Sequence, residues 1–381
     1  MVFLVSLAFW VVFALSHFYL GYRLYLWFLF PLCHMPLWGT ALLVLFLGTA
    51  FQIGYFTAPL PLKLRRFFIW VGGHWVGALA PLLIGFGGLD VLRIAFLCLF
   101  HVRFSAQLLF YASFFILAVV AALLIKGTFC AVSPRVTRYQ ISVHKKAGAL
   151  RCLRIALVSD IHLGVLIDHT QLTALCQKIN ALQPDLILIA GDLLDAGLPS
   201  LHDADKISQT LRTLSAHYGA YVCLGNHDVR HGASVEETIA FFEQSGLHVL
   251  YDKAVLIDQS FYLIGRADYG FSGTACAPRA SLSALLSPLD ASLPLLVIDH
   301  QPNQLQEAAD AGVDVQFSGH THKGQMFPIS LITHRQFETD FGLWKKGDFT
   351  AVVSCGYGTW GPRLRMGSRS ELVLATLTFD D

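Results

Sequence analysis

Four long apolar runs open the chain, at residues 2–22, 36–56, 67–89 and 105–125. Each approaches the roughly 20 apolar residues that an α-helix needs to cross a bilayer, so the pattern predicts four spanning helices. The run 94–101 is too short to cross and reads as the extension of a neighbouring helix. Residues 2–15 lack the basic start and small-residue cleavage site of a signal peptide, and further spans follow them. Beyond residue 154 the rhythm changes. Short runs rich in Ile, Leu and Val, at 154–159, 185–190, 220–224, 294–298 and 313–318, each end in a polar residue and a turn, as buried strands do. Helix-like stretches lie between them at 168–182, 203–216, 234–245 and 304–311, with Asp203 and Ser234 as expected N-caps. Residues 247–264 read as two strands, and 350–354 with 371–378 as a closing pair. The expectation is a membrane helical domain at 1–130, a basic connector at 131–150 and an α/β domain at 151–381, with one or two packed sheets.

Charge sharpens the cut. The formal net charge of the 381 residues is +1, but the first 130 hold seven basic side chains against the single acid Asp90, or +6. The remainder holds 20 basic against 25 acidic, or −5. With 55% hydrophobic and 14% charged residues, against about 25% charged in soluble chains, one ordinary soluble domain is excluded, as is a strongly basic nucleic-acid binder. Lys63, Arg65, Arg66, Lys126, Arg135, Arg138, Lys145 and Lys146 fall on the side of the carboxy-terminal half, against Arg23, Arg93 and Arg103 on the other. That bias predicts a cytoplasmic carboxy-terminal half of an inner- or cell-membrane protein. The eight cysteines show no CxxC spacing, and reduced thiols fit that compartment. His17 and His74 have no carboxylate within the spans, so the helices read as an anchor rather than a proton path.

Five polar blocks follow the predicted strands: Asp160-Ile-His162, Gly191-Asp192-Leu-Leu-Asp195, Gly225-Asn226-His227-Asp228, Asp299-His300 and Gly319-His320-Thr-His322. Carboxyl ends of strands in an α/β sheet converge on one crevice. Asp160, His162, Asp192, Asn226, His300, His320 and His322 would then form a donor set for two divalent metals. Imidazole with carboxylate suits Mn, Fe, Zn, Co or Ni, and Mn is the choice for an assay. Such a pair clamps the attacking and leaving oxygens of a phosphoryl transfer.

These blocks resemble the calcineurin-like metallophosphoesterase superfamily, with its D-x-H, G-D-x-x-D, G-N-H-[DE], H and G-H-x-H pattern, over about residues 151–381. Residues 319–325 and 358–372 are similar to the membrane-attached subgroup related to bacterial phosphodiesterases and a UDP-diacylglucosamine pyrophosphatase. The resemblance implies a four-layer αββα sandwich. It assigns one metal to Asp160, His162, Asp192 and His322 and the second to Asp192, Asn226, His300 and His320. His227 would protonate the leaving oxygen or stabilise the transition state, and Asp228 would orient its imidazole. Asp195 is either a support for the site or a turn residue. Lys323 is a candidate for substrate phosphate, and Arg363 and Arg365 (with Arg369) for a diphosphate or lipid head groups, with exposure to solvent as the competing reading in each case. Phe341, Leu343 and Trp344, flanked by Lys345 and Lys346, would touch the membrane interface or an acyl chain, with core packing as the competing reading.

The expected function is a membrane-bound phosphohydrolase acting on a phosphodiester or pyrophosphate, its substrate a phosphorylated small molecule or a lipid-linked compound and its neighbours membrane lipids. The alternative is a non-catalytic binding or signalling module on the same fold, although such a module has no need of all seven ligands and His227. A transporter would call for paired charges or broken helices in the first 130 residues.

Overall fold

The computed structural model describes residues 2–57, 59–230, 234–269 and 279–380. They fall into two compact units: Met1–Phe129 with Gly361–Met366, and Cys130–Trp360 with Gly367–Asp381.

The first unit is helical. It contains α1 (Val2–Leu24), a π-helical turn (Tyr25–Leu29), α2 (Phe30–Cys33), α3 (Leu37–Phe56), α4 (Leu62–Phe100) and α5 (Ala106–Val132). Four helical stretches are long and apolar enough to cross a membrane. The run at 94–101 does extend its neighbour, for α4 continues through it to 39 residues. His34 and His101 close α2 and α4 in the left-handed conformation, at φ 54° and 56°. A Cβ on Gly72 would collide with the backbone of Phe51, so this glycine lets α3 and α4 approach closely. The histidines of the spans are satisfied locally. His17 accepts from Trp75 Nε1 at 2.9 Å, and His74 lies 2.9 Å from Thr128 Oγ1. Asp90 is buried and takes Arg23, Arg93 and Tyr19 at 2.7, 3.0 and 2.7 Å. Two of the three basic residues counted on that side of the membrane are therefore tied to the one acid. The segment Gly361–Met366 returns to this unit: the Leu364 side chain lies against Gly77 and Gly127, and Arg365 N donates to Gly127 O at 3.0 Å.

The second unit carries two six-stranded sheets. The first has the order β1 (Arg135–Val143), β12 (Glu371–Phe379), β2 (Cys152–Val158), β3 (Leu186–Ala190), β4 (Ala220–Cys223) and β5 (His248–Val249). The second runs β10 (Gly342–Lys346), β11 (Phe349–Val353), β9 (Val315–Ser318), β8 (Leu295–Ile298), β7 (Phe261–Gly265) and β6 (Lys253–Ile257). Period-two alternation explains the layering. Ile155, Leu157, Leu186 and Leu188 meet Leu296, Phe317 and Val352 in the core between the sheets. Ala156, Val158, Ile187 and Ile189 face outward onto α6 (His169–Ala181), α7 (Ala204–Leu211) and α8 (Val235–Gln244). On the far side Leu295 and Val297 pack with α9 (Leu282–Leu286) and α10 (Leu305–Asp310). The expected αββα sandwich is present.

Three local expectations differ. Within 131–150, read as a connector, lies strand β1, which pairs in parallel with β12 from Arg135↔Glu371 to Val143↔Phe379. The segments 350–354 and 371–378 do not close on each other. β11 sits between β9 and β10 in the second sheet, and β12 between β1 and β2 in the first. Ser234 builds a capping box with Glu237, but Asp203 stands at the start of α7 with φ 61° and no cap bond. Trp344 packs against the core behind the second sheet, 6.0 Å from the Phe349 ring.

Candidate metal centre

All five polar blocks leave the carboxyl ends of parallel strands, β2, β3 and β4 in one sheet and β8 and β9 in the other, and converge there. Asp160, His162, Asp192, His320 and His322 lie at φ 52°, 55°, 52°, 70° and 49°. The left-handed region is costly for side chains other than glycine, and its concentration at five of the seven expected ligands marks a built site. Two motif glycines make the convergence possible. A Cβ on Gly225 would run into Asp192 Oδ1, and one on Gly319 into Asp160 Oδ2.

The donors meet closely. His162 Nε2 lies 3.1 Å from His322 Nε2, and His322 Nε2 3.4 Å from Asp160 Oδ1. His300 Nε2 is 3.2 Å from Asp192 Oδ2, from Asn226 Oδ1 and from His320 Nδ1. Ligands bound at about 2.1 Å to one metal stand roughly 3.0–3.4 Å apart, so these separations fit shared coordination. Donor groups within 4.8 Å of one another are Asp160–His162–His322 and Asp192–His300–His320, with Asp192 also grouped with His162 and His227. Asp192 is thus the carboxylate common to both halves. All seven expected ligands are brought together.

Electrostatics point the same way. Burial, joined by the neighbouring His300, pushes His320 down to about 3, which keeps its imidazole neutral and free to ligate. Asp192 and His300 titrate as a pair. Burial opposes both charges, yet the imidazoles around Asp192 hold it well below the carboxylate range, and Asp192 and Asp160 hold His300 well above the usual imidazole value.

The supports around the ligands differ from expectation. The Asp228 carboxylate is fully buried and accepts three backbone N–H groups: Gly225 at 2.7 Å, Leu194 at 2.8 Å and Asp192 at 2.9 Å. It holds the loops after β3 and β4 together and does not orient His227. That task falls to Asp195, whose backbone carbonyl accepts from His227 Nδ1 at 2.6 Å and whose Oδ1 lies 3.4 Å from His162 Nδ1. Burial keeps the His227 imidazole below its ordinary value. A carbonyl partner is independent of side-chain identity, so no residue pattern could have announced it.

A cleft of about 240 Å³ opens on the centre, lined by Asp192, His227, His320 and His322 together with the apolar Met326, Ile329, Phe337 and Trp360. Lys323 lies with its ammonium 4.7 Å from the Phe341 ring centroid. Arg363 and Arg365 fall in Gly361–Met366, the segment that packs with the helices.

Clustered Asp, Asn and His side chains at the strand ends of two facing sheets define a phosphoesterase-type fold, and the comparisons give its family. Residues 153–324 match the calcineurin-like phosphoesterase family, and this part of the chain is a calcineurin-like metallophosphoesterase domain. A zebrafish (Danio rerio) transmembrane protein with metallophosphoesterase domain is 28% identical over 267 residues, 67% of this chain and 60% of that protein. An uncharacterized metallophosphoesterase of Helicobacter pylori is 30% identical over 227 residues, 59% of this chain and 60% of that one. The UDP-2,3-diacylglucosamine pyrophosphatase LpxG of Chlamydia trachomatis is 22% identical over 304 residues, 65% of this chain and 90% of that enzyme. The chain spans about three-fifths of the length of the first two relatives. With four apolar helices ahead of the domain, the protein is membrane-associated.

Proposed function

We propose that the protein is a membrane-bound hydrolase that cleaves a phosphodiester or pyrophosphate bond with two divalent metals, acting on a lipid-linked or nucleotide-linked phosphate compound. The observation that carries the reading is the convergence of Asp160, His162, His322, His300 and His320 around the shared carboxylate Asp192. Asp160, His162, Asp192 and His322 would hold one ion, and Asp192, Asn226, His300 and His320 the other. When bound, the ions supply Lewis acidity toward the phosphoryl oxygens and a nucleophile from water.

The chain's own residues do the rest. His227 donates through Nδ1 to the Asp195 carbonyl, so Nε2 is the nitrogen left to give a proton to the leaving oxygen. Asp228 fixes the backbone of Asp192 and Gly225, and with it the spacing of the two half-sites. The apolar side chains that line the cleft, Met326, Ile329, Phe337 and Trp360, reduce the water beside the reacting phosphate. The name of the chlamydial relative supports pyrophosphate cleavage on a lipid-bearing compound. The excess of Lys and Arg beside the second unit supports a cytoplasmic active site.

Full-length protein in detergent with Mn²⁺ should hydrolyse bis-p-nitrophenyl phosphate and carry close to two metal ions per chain by elemental analysis. Activity persisting in Asp192→Ala would refute the shared-carboxylate assignment.

A further inference from the structure

The α/β unit exposes a group of large apolar side chains beside its metal centre. Phe327, Ile329, Leu331, Ile332 and Trp360 are 42%, 38%, 55%, 59% and 47% exposed. The first four open or lie on helix α11 (Ile329–Gln336), which follows the last ligand block directly. Trp360 is clamped to the same region. Its carbonyl accepts from Gln325 Nε2 at 2.8 Å, and its N–H donates to Gln325 Oε1 at 3.0 Å. Two of the five, Ile329 and Trp360, also line the cleft that holds Asp192, His227, His320 and His322. Ile329 and Trp360 thus carry this exposed apolar group, with Leu331 and Ile332 on α11, up to the cleft. Grouped exposed apolar side chains mark binding sites, and here two of them reach the place where a phosphate would be cleaved.

We propose that this face is the seat of the apolar tail of the substrate: an amphiphile whose phosphodiester or pyrophosphate sits at the metal centre while its alkyl or acyl chain leaves past Ile329 and Trp360 and lies along Leu331 and Ile332. The inference rests on the hydrolase reading above and adds the substrate's chemical class. Charge and shape favour this occupant. The cleft holds the polar end between imidazoles and carboxylates. His334 and Arg335 close α11 on the same exposed helix, where a cationic end suits the anionic head groups from which such a substrate is drawn. The residue after Trp360 is Gly361, the first of the six that pack with the membrane helices.

The test uses full-length, Mn²⁺-loaded protein in nanodiscs and a series of alkyl p-nitrophenyl phosphates, ethyl through octyl, all soluble as monomers. Each methylene that is buried strengthens binding up to about fourfold, so kcat/KM should climb by at least tenfold from ethyl to octyl. In Leu331→Ser/Ile332→Ser the octyl-to-ethyl ratio should collapse toward one. Reading the ratio cancels any general loss of folded or active protein. A flat series in the wild type, with bis-p-nitrophenyl phosphate still turned over, overturns the tail site and leaves the hydrolase reading standing. If no ester is cleaved, calorimetric affinities for ethyl- and octylphosphonate decide the point separately. Tighter binding of octylphosphonate that the double variant abolishes supports the site, and equal affinities overturn it.

Discussion

Asp228→Asn separates a support of the backbone from a partner of the catalytic imidazole. The carboxylate is completely buried, and its two oxygens accept three N–H groups, two on Oδ2 and one on Oδ1. Asparagine keeps the shape, but its amide has only one acceptor oxygen. If that oxygen takes Gly225 and Asp192, the NH₂ faces the N–H of Leu194. One buried donor then loses its partner, at about 1–3 kcal/mol, and the remaining bonds lose their charge assistance, about 1–2 kcal/mol more. With metals bound the expected loss is about 2–5 kcal/mol, a fall of roughly 5–15 °C in the melting transition of a unit this size. Removing the metals changes the arithmetic. Burial and the nearby Asp192 push Asp228 up to about 7 in the protein alone. A carboxyl raised in this way loses folded-state stability as pH climbs from about 4 through 7, because the unfolded chain gives up its proton first. Asparagine escapes that penalty, so in EDTA at pH 8 the variant should melt within a few degrees of the wild type. Scanning fluorimetry with Mn²⁺ and with EDTA measures both values. An equal shift in the two conditions, or a Mn²⁺-loaded shift below 2 °C, would refute the argument.

Other outcomes follow from the same geometry. Asp192→Ala should lower bound metal from two ions toward one or none by mass spectrometry and abolish turnover, since both half-sites share that carboxylate. His227→Gln should retain both ions and lose about 10²–10⁴ in kcat. Burial holds the His227 pKa below the ordinary 6.5, so its protonated form belongs to the acid side. The wild-type to His227→Gln rate ratio should therefore shrink as pH rises past that value, and a ratio that grows would exclude His227 as the proton donor. In the helical unit, Asp90→Ala leaves Arg23 and Arg93 without their common anion. It should cost about 3–5 kcal/mol, visible as earlier thermal aggregation of the full-length protein, whereas exposed Leu92→Ala should not.

The apolar helices and the clustered Asp and His side chains were legible because both are written locally. A 20-residue apolar run and an apolar pentapeptide ending in Asp-x-His need no knowledge of distant residues. What escaped was nonlocal. β1 hides in a basic stretch because it is an edge strand, where Arg135 and Arg138 face water, and its partner β12 lies some 230 residues away. Strands β11 and β12 are close in sequence, but pairing is decided by which sheet edge is open, and they entered different sheets. Asp90 looked solitary because Arg23 is 67 residues distant. Asp228 stood next to His227 in sequence and was given to it, whereas the turn points its carboxylate back into the loops.

The return of Gly361–Met366 to the helices bears on how the protein is made and how its halves can be inherited. A membrane part finished by helices alone would be complete once Val132 left the ribosome. Here Gly77 and Gly127 wait for Leu364, so the bilayer-embedded half is completed only after nearly the whole hydrolase sequence has been translated. A fragment cut at residue 131 would release the catalytic sheets with a hexapeptide, Gly361–Met366, whose Leu364 has lost its seat, and should aggregate. Gene fusion or loss at that boundary meets the same obstacle: the anchor and the hydrolase are two bodies by packing but one unit of inheritance.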